Sequence, residues 1–138
     1  MSEANKLLLK RWYEEVWNQQ SEAAIDAMFA PGGKSHGFPD ADSVLVGAEA
    51  FKAVQRTFCG AFPDLHVDVE EIVTEGDRAA VRFKVTMTHT GDHLGFPASG
   101  KKTTLTGSTF VIVKDGKILE GWNYMDLGGM MQKLQAPS

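Results

Sequence analysis

Along residues 2–18, apolar positions recur every four residues: Leu8, Trp12 and Val16, with Leu9 and Tyr13 beside them. That spacing lays one broad apolar stripe along a helix. A second, short helix is predicted after Ser21, a favoured N-cap, with Ile25, Met28 and Phe29 on one face. Pro31-Gly32-Gly33 should end it. Residues 34–42, which include His36 and Pro39, read as a loop or short strand. A third helix is predicted over 47–61, with Phe51, Val54 or Gln55, Phe58 and Phe62 along its buried side and Pro63 as its stop.

After Asp64 the period drops to two. Leu65, Val67 and Val69 alternate with polar residues, as do Val81, Phe83, Val85, Met87 and His89. Residues 90–101 form a glycine-rich loop. A long β-prone run then reaches Asp115-Gly116, a pair suited to a two-residue hairpin turn. Residues 118–126 complete the hairpin, and a terminal helical turn follows over 127–134. Helices first and long strands afterwards predict one α+β domain. Its expected form is a cone-shaped, curved antiparallel sheet with three N-terminal helices packed on the concave face. The space between helices and sheet is the natural pocket.

Strand parity then nominates residues for that pocket. Counting back from the turn, Thr109 faces Trp122, Gly107 faces Tyr124 and Leu105 faces Asp126. Ile118, Glu120, Trp122, Tyr124 and Asp126 then share a face, provided no bulge intervenes. His89 sits on the apolar face with Phe83 and Met87. A carboxyl enclosed by Trp, Tyr and Phe should have its pKa raised above the usual value of about 3.9, because desolvation disfavours the anion. Such a group suits general acid/base work near neutrality. Asp126 also precedes Leu127-Gly128-Gly129-Met130, the position of a helix cap.

Composition narrows the alternatives. Fourteen Lys and Arg against eighteen Asp and Glu leave a formal charge of −4, which disfavours a nonspecific grip on nucleic acid. One cysteine, Cys59, excludes an internal disulfide and any cysteine-based zinc cluster. His89 and His93 are four apart, but Gly91 and Gly95 make that stretch a loop and not a helical metal site. No phosphate-cradling glycine motif occurs. With neither a secretory signal nor a membrane-spanning run in view, the expected setting is cytoplasmic, without metal, cofactor or membrane.

Several short motifs occur in order: Tyr13-Glu14-Glu15-Val16-Trp17-Asn18, His36 followed by Gly47, Phe62-Pro63-Asp64-Leu65, and Thr88-His89-Thr90-Gly91. Pro97-Ala98-Ser99-Gly100-Lys101 comes next, then Asp115-Gly116-Lys117-Ile118-Leu119-Glu120-Gly121-Trp122 ending in Asp126. Together they resemble the SnoaL-like polyketide cyclase family. The resemblance implies the cone fold of nuclear-transport-factor-2-like proteins, frequently a homodimer. It also implies ring closure of a polyketide by intramolecular aldol chemistry, without metal or cofactor. It assigns the acid/base role to Asp126 and pocket positions to His36 and His89. Ser99 stands where the family commonly has Thr, and Met87 where it commonly has Gly; both departures reshape the loop near the pocket mouth. The expected substrate is a small hydrophobic carbonyl compound, with Trp122, Tyr124, Phe83, Met87 and Trp12 as candidate pocket wall. Isomerisation, dehydration or epoxide hydrolysis by the same carboxyl is an alternative, as is a non-catalytic ligand-binding domain.

Overall fold

A computed structural model describes residues 2–137. Helix α1 (Ser2–Arg11) runs directly into a π-helical segment, Trp12–Asn18, so the long helix expected over 2–18 widens in its second half. That segment buries Trp12, Tyr13, Val16 and Trp17. Helix α2 (Glu22–Met28) starts at Ser21, whose hydroxyl accepts from the Ala24 N–H. Strand β1 (Phe29–His36) and the short β2 (Val44–Val46) precede α3 (Ala48–Ala61). The long strands are β3 (His66–Glu75), β4 (Arg78–Thr88), β5 (Lys102–Lys114) and β6 (Lys117–Met125), and α4 (Leu127–Gln135) follows.

One six-stranded sheet results, in the order β2-β1-β6-β5-β4-β3. The α+β cone is present, with one correction to its sheet: β1 lies parallel to β6, and the other neighbours are antiparallel. Pro31-Gly32-Gly33 ends α2 as expected but lies inside a strand. The register of β1 against β6 shifts between Phe29 and Lys34, which absorbs the irregular residues. Gly33 is needed there, since a Cβ would stand 2.9 Å from the Ala30 carbonyl oxygen.

The core fills the space between the concave face and the helices. Val81, Phe83, Val85, Met87, Leu105 and Val111 meet Leu9, Trp12, Val16, Trp17, Phe51 and Phe58. Aromatic rings knit the helical side: Trp12 lies edge-on to Phe51 at 5.2 Å, and Phe38 packs on Phe58 at 4.9 Å.

The β5–β6 hairpin decides what faces the cavity. Its turn is the expected one, with positive φ at Asp115 and Gly116 and with Lys114 opposite Lys117 and Val113 opposite Ile118. The next pair is Ile112 with Glu120, so Leu119 is an extra residue. This bulge inverts the parity of everything after it. Phe110 faces Trp122, Thr109 faces Asn123 and Gly107 faces Met125. Gly121, Asn123 and Met125 therefore point into the cone, whereas Glu120, Trp122, Tyr124 and Asp126 lie on the outer face.

Candidate functional site

Between helices and sheet lies a cavity of about 80 Å³. Trp12, Tyr13, Trp17, Phe51 and Phe58 wall its helical side, and Phe83, Val85, Met87 and Leu105 wall its sheet side. Trp12, Phe83 and Met87, nominated from the sequence, are thus at the cavity. Trp122 and Tyr124 are not: the bulge at Leu119 turns both outward, and Tyr124 is 58% exposed.

The expectation of Asp126 as a dry acid inside the cone also needs correction. Its carboxylate is exposed and caps α4, accepting from the Gly129 N–H at 2.9 Å. A Cβ on Gly129 would collide with that carboxylate, so Gly129 permits the cap. The apolar enclosure on which the acid/base assignment rested is absent. Met125 takes the inward place, and its side chain fills the room left by Gly107, where a Cβ would stand 2.4 Å from Met125 Cγ.

The two histidines go to separate places. His36 is half-buried beside the outer face, with Nε2 2.6 Å from Glu120 Oε2 and its ring stacked on Trp122 at 5.3 Å. His89 is completely buried beyond the cavity wall, between Phe62 and Phe96. Its Nδ1 accepts the Ser99 N–H at 3.0 Å and lies 3.0 Å from the Ser99 hydroxyl. An accepting Nδ1 places the ring proton on Nε2, which finds no partner among the described residues. His89 thus fastens the 90–101 loop onto β4. His36, Trp122, Tyr124 and Asp126 instead share a shallow groove on the outer face.

Four residues that sequence reasoning did not nominate carry the cavity's polarity. Tyr13 Oη is 3.0 Å from Thr109 Oγ1, which is 2.9 Å from Asn123 Oδ1. Asn123 Nδ2 reaches Ser35 Oγ at 3.0 Å and the His36 carbonyl at 2.9 Å. All four side chains line the cavity. Burial, only partly offset by the Thr109 hydrogen bond, pushes the Tyr13 phenol up to about 12, so it stays neutral near physiological pH. Thr109 had a legible signal, a polar residue among Leu105, Val111 and Val113 on the apolar face of β5. Asn123 was concealed by the bulge, and Ser35 because residues 34–42 read as a loop or short strand, whereas the strand β1 runs over Phe29–His36 and pairs with β6.

No carboxylate or imidazole lines the cavity among the described residues; its one charged lining residue is Lys34, which is exposed. No group of three or more His, Cys, Asp or Glu among them is placed to hold a metal ion. None of their helices is long and apolar enough to cross a membrane.

The fold recurs in solved structures. A candidate SnoaL-like polyketide cyclase from Jannaschia sp. CCS1 superposes with a TM-score of 0.90 at 26% identity, covering 100% of this chain and 96% of that one. TsrD from Streptomyces laurentii gives 0.82 at 25% identity, over 97% and 96% of the two chains. IdmH, a candidate polyketide cyclase from Streptomyces antibioticus, gives 0.78 at 25% identity, over 95% and 98%. No match to a curated protein is found. The family description "SnoaL-like polyketide cyclase" matches residues 7–134, nearly the whole chain, and with the cone fold this places the protein in the SnoaL-like polyketide cyclase family.

Proposed function

We propose that this chain is a cyclase-like enzyme that closes a ring in a small, mainly apolar carbonyl compound held inside the cone. The observation that carries the proposal is the aromatic-walled cavity with one chain of polar side chains on its wall. Family membership supports cyclase-like chemistry in general.

The chemistry asks little of the protein. A carbon between two carbonyls enolises readily, so no strong base is needed to prepare the nucleophile. When that enol carbon attacks a distant carbonyl of the same molecule, a carbon–carbon bond forms and the C=O π bond opens. The enol proton ends on the new alkoxide oxygen. Holding both ends together in an apolar enclosure can contribute up to ~7–11 kcal/mol in favourable cases. In this scheme the Ser35 hydroxyl stabilises charge on the attacked oxygen. Asp126 is not needed in this scheme.

A second possibility, a ligand-binding domain without turnover, is favoured by the lack of carboxylate and imidazole among the described residues that line the cavity. One experiment separates the two. Nonane-2,4,8-trione has a doubly activated carbon placed for six-membered ring closure, which NMR can follow. The expected outcome is acceleration over buffer, lowered on the order of tenfold to a hundredfold by Ser35→Ala. Asp126→Asn, which keeps the helix cap, should retain the rate. Binding without acceleration would establish the ligand-binding role instead, and loss of the rate in Asp126→Asn would restore the carboxylate mechanism.

We also propose that a second copy of the chain covers the outer sheet face. Phe110 and Tyr124 are exposed there and form an edge-to-face pair at 6.0 Å. Arg78 and Lys84 on β4 flank this aromatic patch on one side, and Glu120 and Asp126 along β6 on the other. A two-fold axis through β5 would bring the basic side of each copy over the acidic side of its partner.

A further inference from the structure

One backbone atom sets the direction of every hydrogen bond in the cavity. The His36 carbonyl oxygen can only accept. The Asn123 atom 2.9 Å from it is therefore the amide nitrogen, whose other hydrogen goes to Ser35 Oγ at 3.0 Å. Asn123 Oδ1 then faces Thr109, so the Thr109 hydroxyl donates to it at 2.9 Å. Having used its hydrogen, Thr109 accepts from the Tyr13 hydroxyl at 3.0 Å.

The chain consequently has two unlike ends. At one end, the Ser35 hydroxyl hydrogen has no acceptor among the described residues. At the other, the Tyr13 oxygen has given its hydrogen away and receives none from them. Ser35 is 4% exposed and Tyr13 6%, so bulk water reaches neither freely, and both line the cavity. An unused donor and an unused acceptor, both buried, define a complementary ligand.

We propose that the cavity selects a neutral ligand with one hydrogen-bond acceptor and one donor on an apolar frame. A hydroxy-ketone, or the enol of a 1,3-dicarbonyl compound, meets that description. Its carbonyl oxygen accepts from Ser35 and its hydroxyl donates to Tyr13 Oη. An anion is disfavoured beside Ser35, because the apolar walls desolvate it and the buried lining offers it a single neutral donor, the one lining cation, Lys34, being exposed to solvent. This selectivity rests on the cavity being the substrate site and goes further by naming the pattern of groups that the site reads.

The test is calorimetric titration of the full chain with toluene, phenol, acetophenone, benzoate and the better of 3′- and 4′-hydroxyacetophenone. Each matched hydrogen bond should tighten binding about three- to tenfold, so the hydroxyacetophenone binds best and toluene least among the neutral probes. Ser35→Ala should weaken acetophenone by that factor and leave phenol unchanged. Tyr13→Phe should do the reverse. The ligand ranking on the unmodified protein stands even where a variant fails to fold. Equal affinities, equal weakening of both probes by each variant, or benzoate binding above acetophenone would overturn the inference while leaving the cavity as the site. Failure of toluene to bind as well would overturn the cavity reading beneath it.

Discussion

Asp64, directly after Pro63, accepts two hydrogen bonds from Thr88, one from the backbone N–H and one from the hydroxyl, both at 2.7 Å. Partial burial raises its pKa, but those bonds, with Lys102 nearby, outweigh burial and hold it below the ordinary 3.8. A carboxyl whose folded pKa is depressed adds stability that is present above its unfolded value and lost as pH falls through the folded value. Asp64→Asn should therefore lower Tm at neutral pH, and the gap from the parent should shrink as pH drops from about 6 to about 2.5. Thermal melts across that range check this; a constant gap would show that the charge is immaterial. Asp64 stands in the turn that Pro63 opens ahead of β3, and its carboxylate ties that turn to the end of β4. The side-chain role of Asp126 was legible only as one of two options, and the cap option is the one its exposure and its bond to Gly129 select.

Among the elements, the first helical run needs outside help to end. Its last carbonyls have no partner within the helix. Gln55 on α3, fully buried, supplies one: its Nε2 donates to the Val16 carbonyl at 2.8 Å and to the Ser21 carbonyl at 3.2 Å. Asn18 ties the same end to β3, accepting from the Val67 N–H at 2.7 Å and donating to its carbonyl at 3.1 Å. These side chains hold the π-helical segment that carries Tyr13 to the cavity. Gln55→Leu keeps the volume but removes the donor to the Val16 carbonyl, and should cost about 1–3 kcal/mol. Urea unfolding measures it, and an unchanged midpoint would mean that water reaches that carbonyl. Periodicity located the helix but carried no sign of the π turn, because a gain of one backbone register leaves the apolar spacing almost intact. The Leu119 bulge escaped for a related reason: Leu-Glu-Gly continues a β-prone run without any residue that forces the extra step.

For the molecule as a whole, the proposed dimer rests on the outer sheet face. The aromatic patch is central, with Phe110 52% exposed, and its charged margins are of opposite sign. Phe110→Glu together with Tyr124→Glu should convert a dimer to a monomer at micromolar concentration without lowering helix or sheet content. Sedimentation velocity with circular dichroism tests this, and a parent protein that sediments as a monomer would refute the dimer. The chain's own pattern determined the helices, the long strands from β3 to β6, their succession and the cone, because burial periodicity and turn chemistry act within a few residues. It also determined that an aromatic-walled space would lie between helices and sheet. Tertiary structure decided which residues enter that space. The inner or outer place of Asn123 against Asp126 depends on one extra residue in β6, and Ser35 reaches the cavity through a strand that pairs with a partner more than eighty residues away. Pairing at that distance, and the parity it imposes, is settled by the packing of the whole sheet, so the cavity's apolar character was local information and its polar chemistry was not.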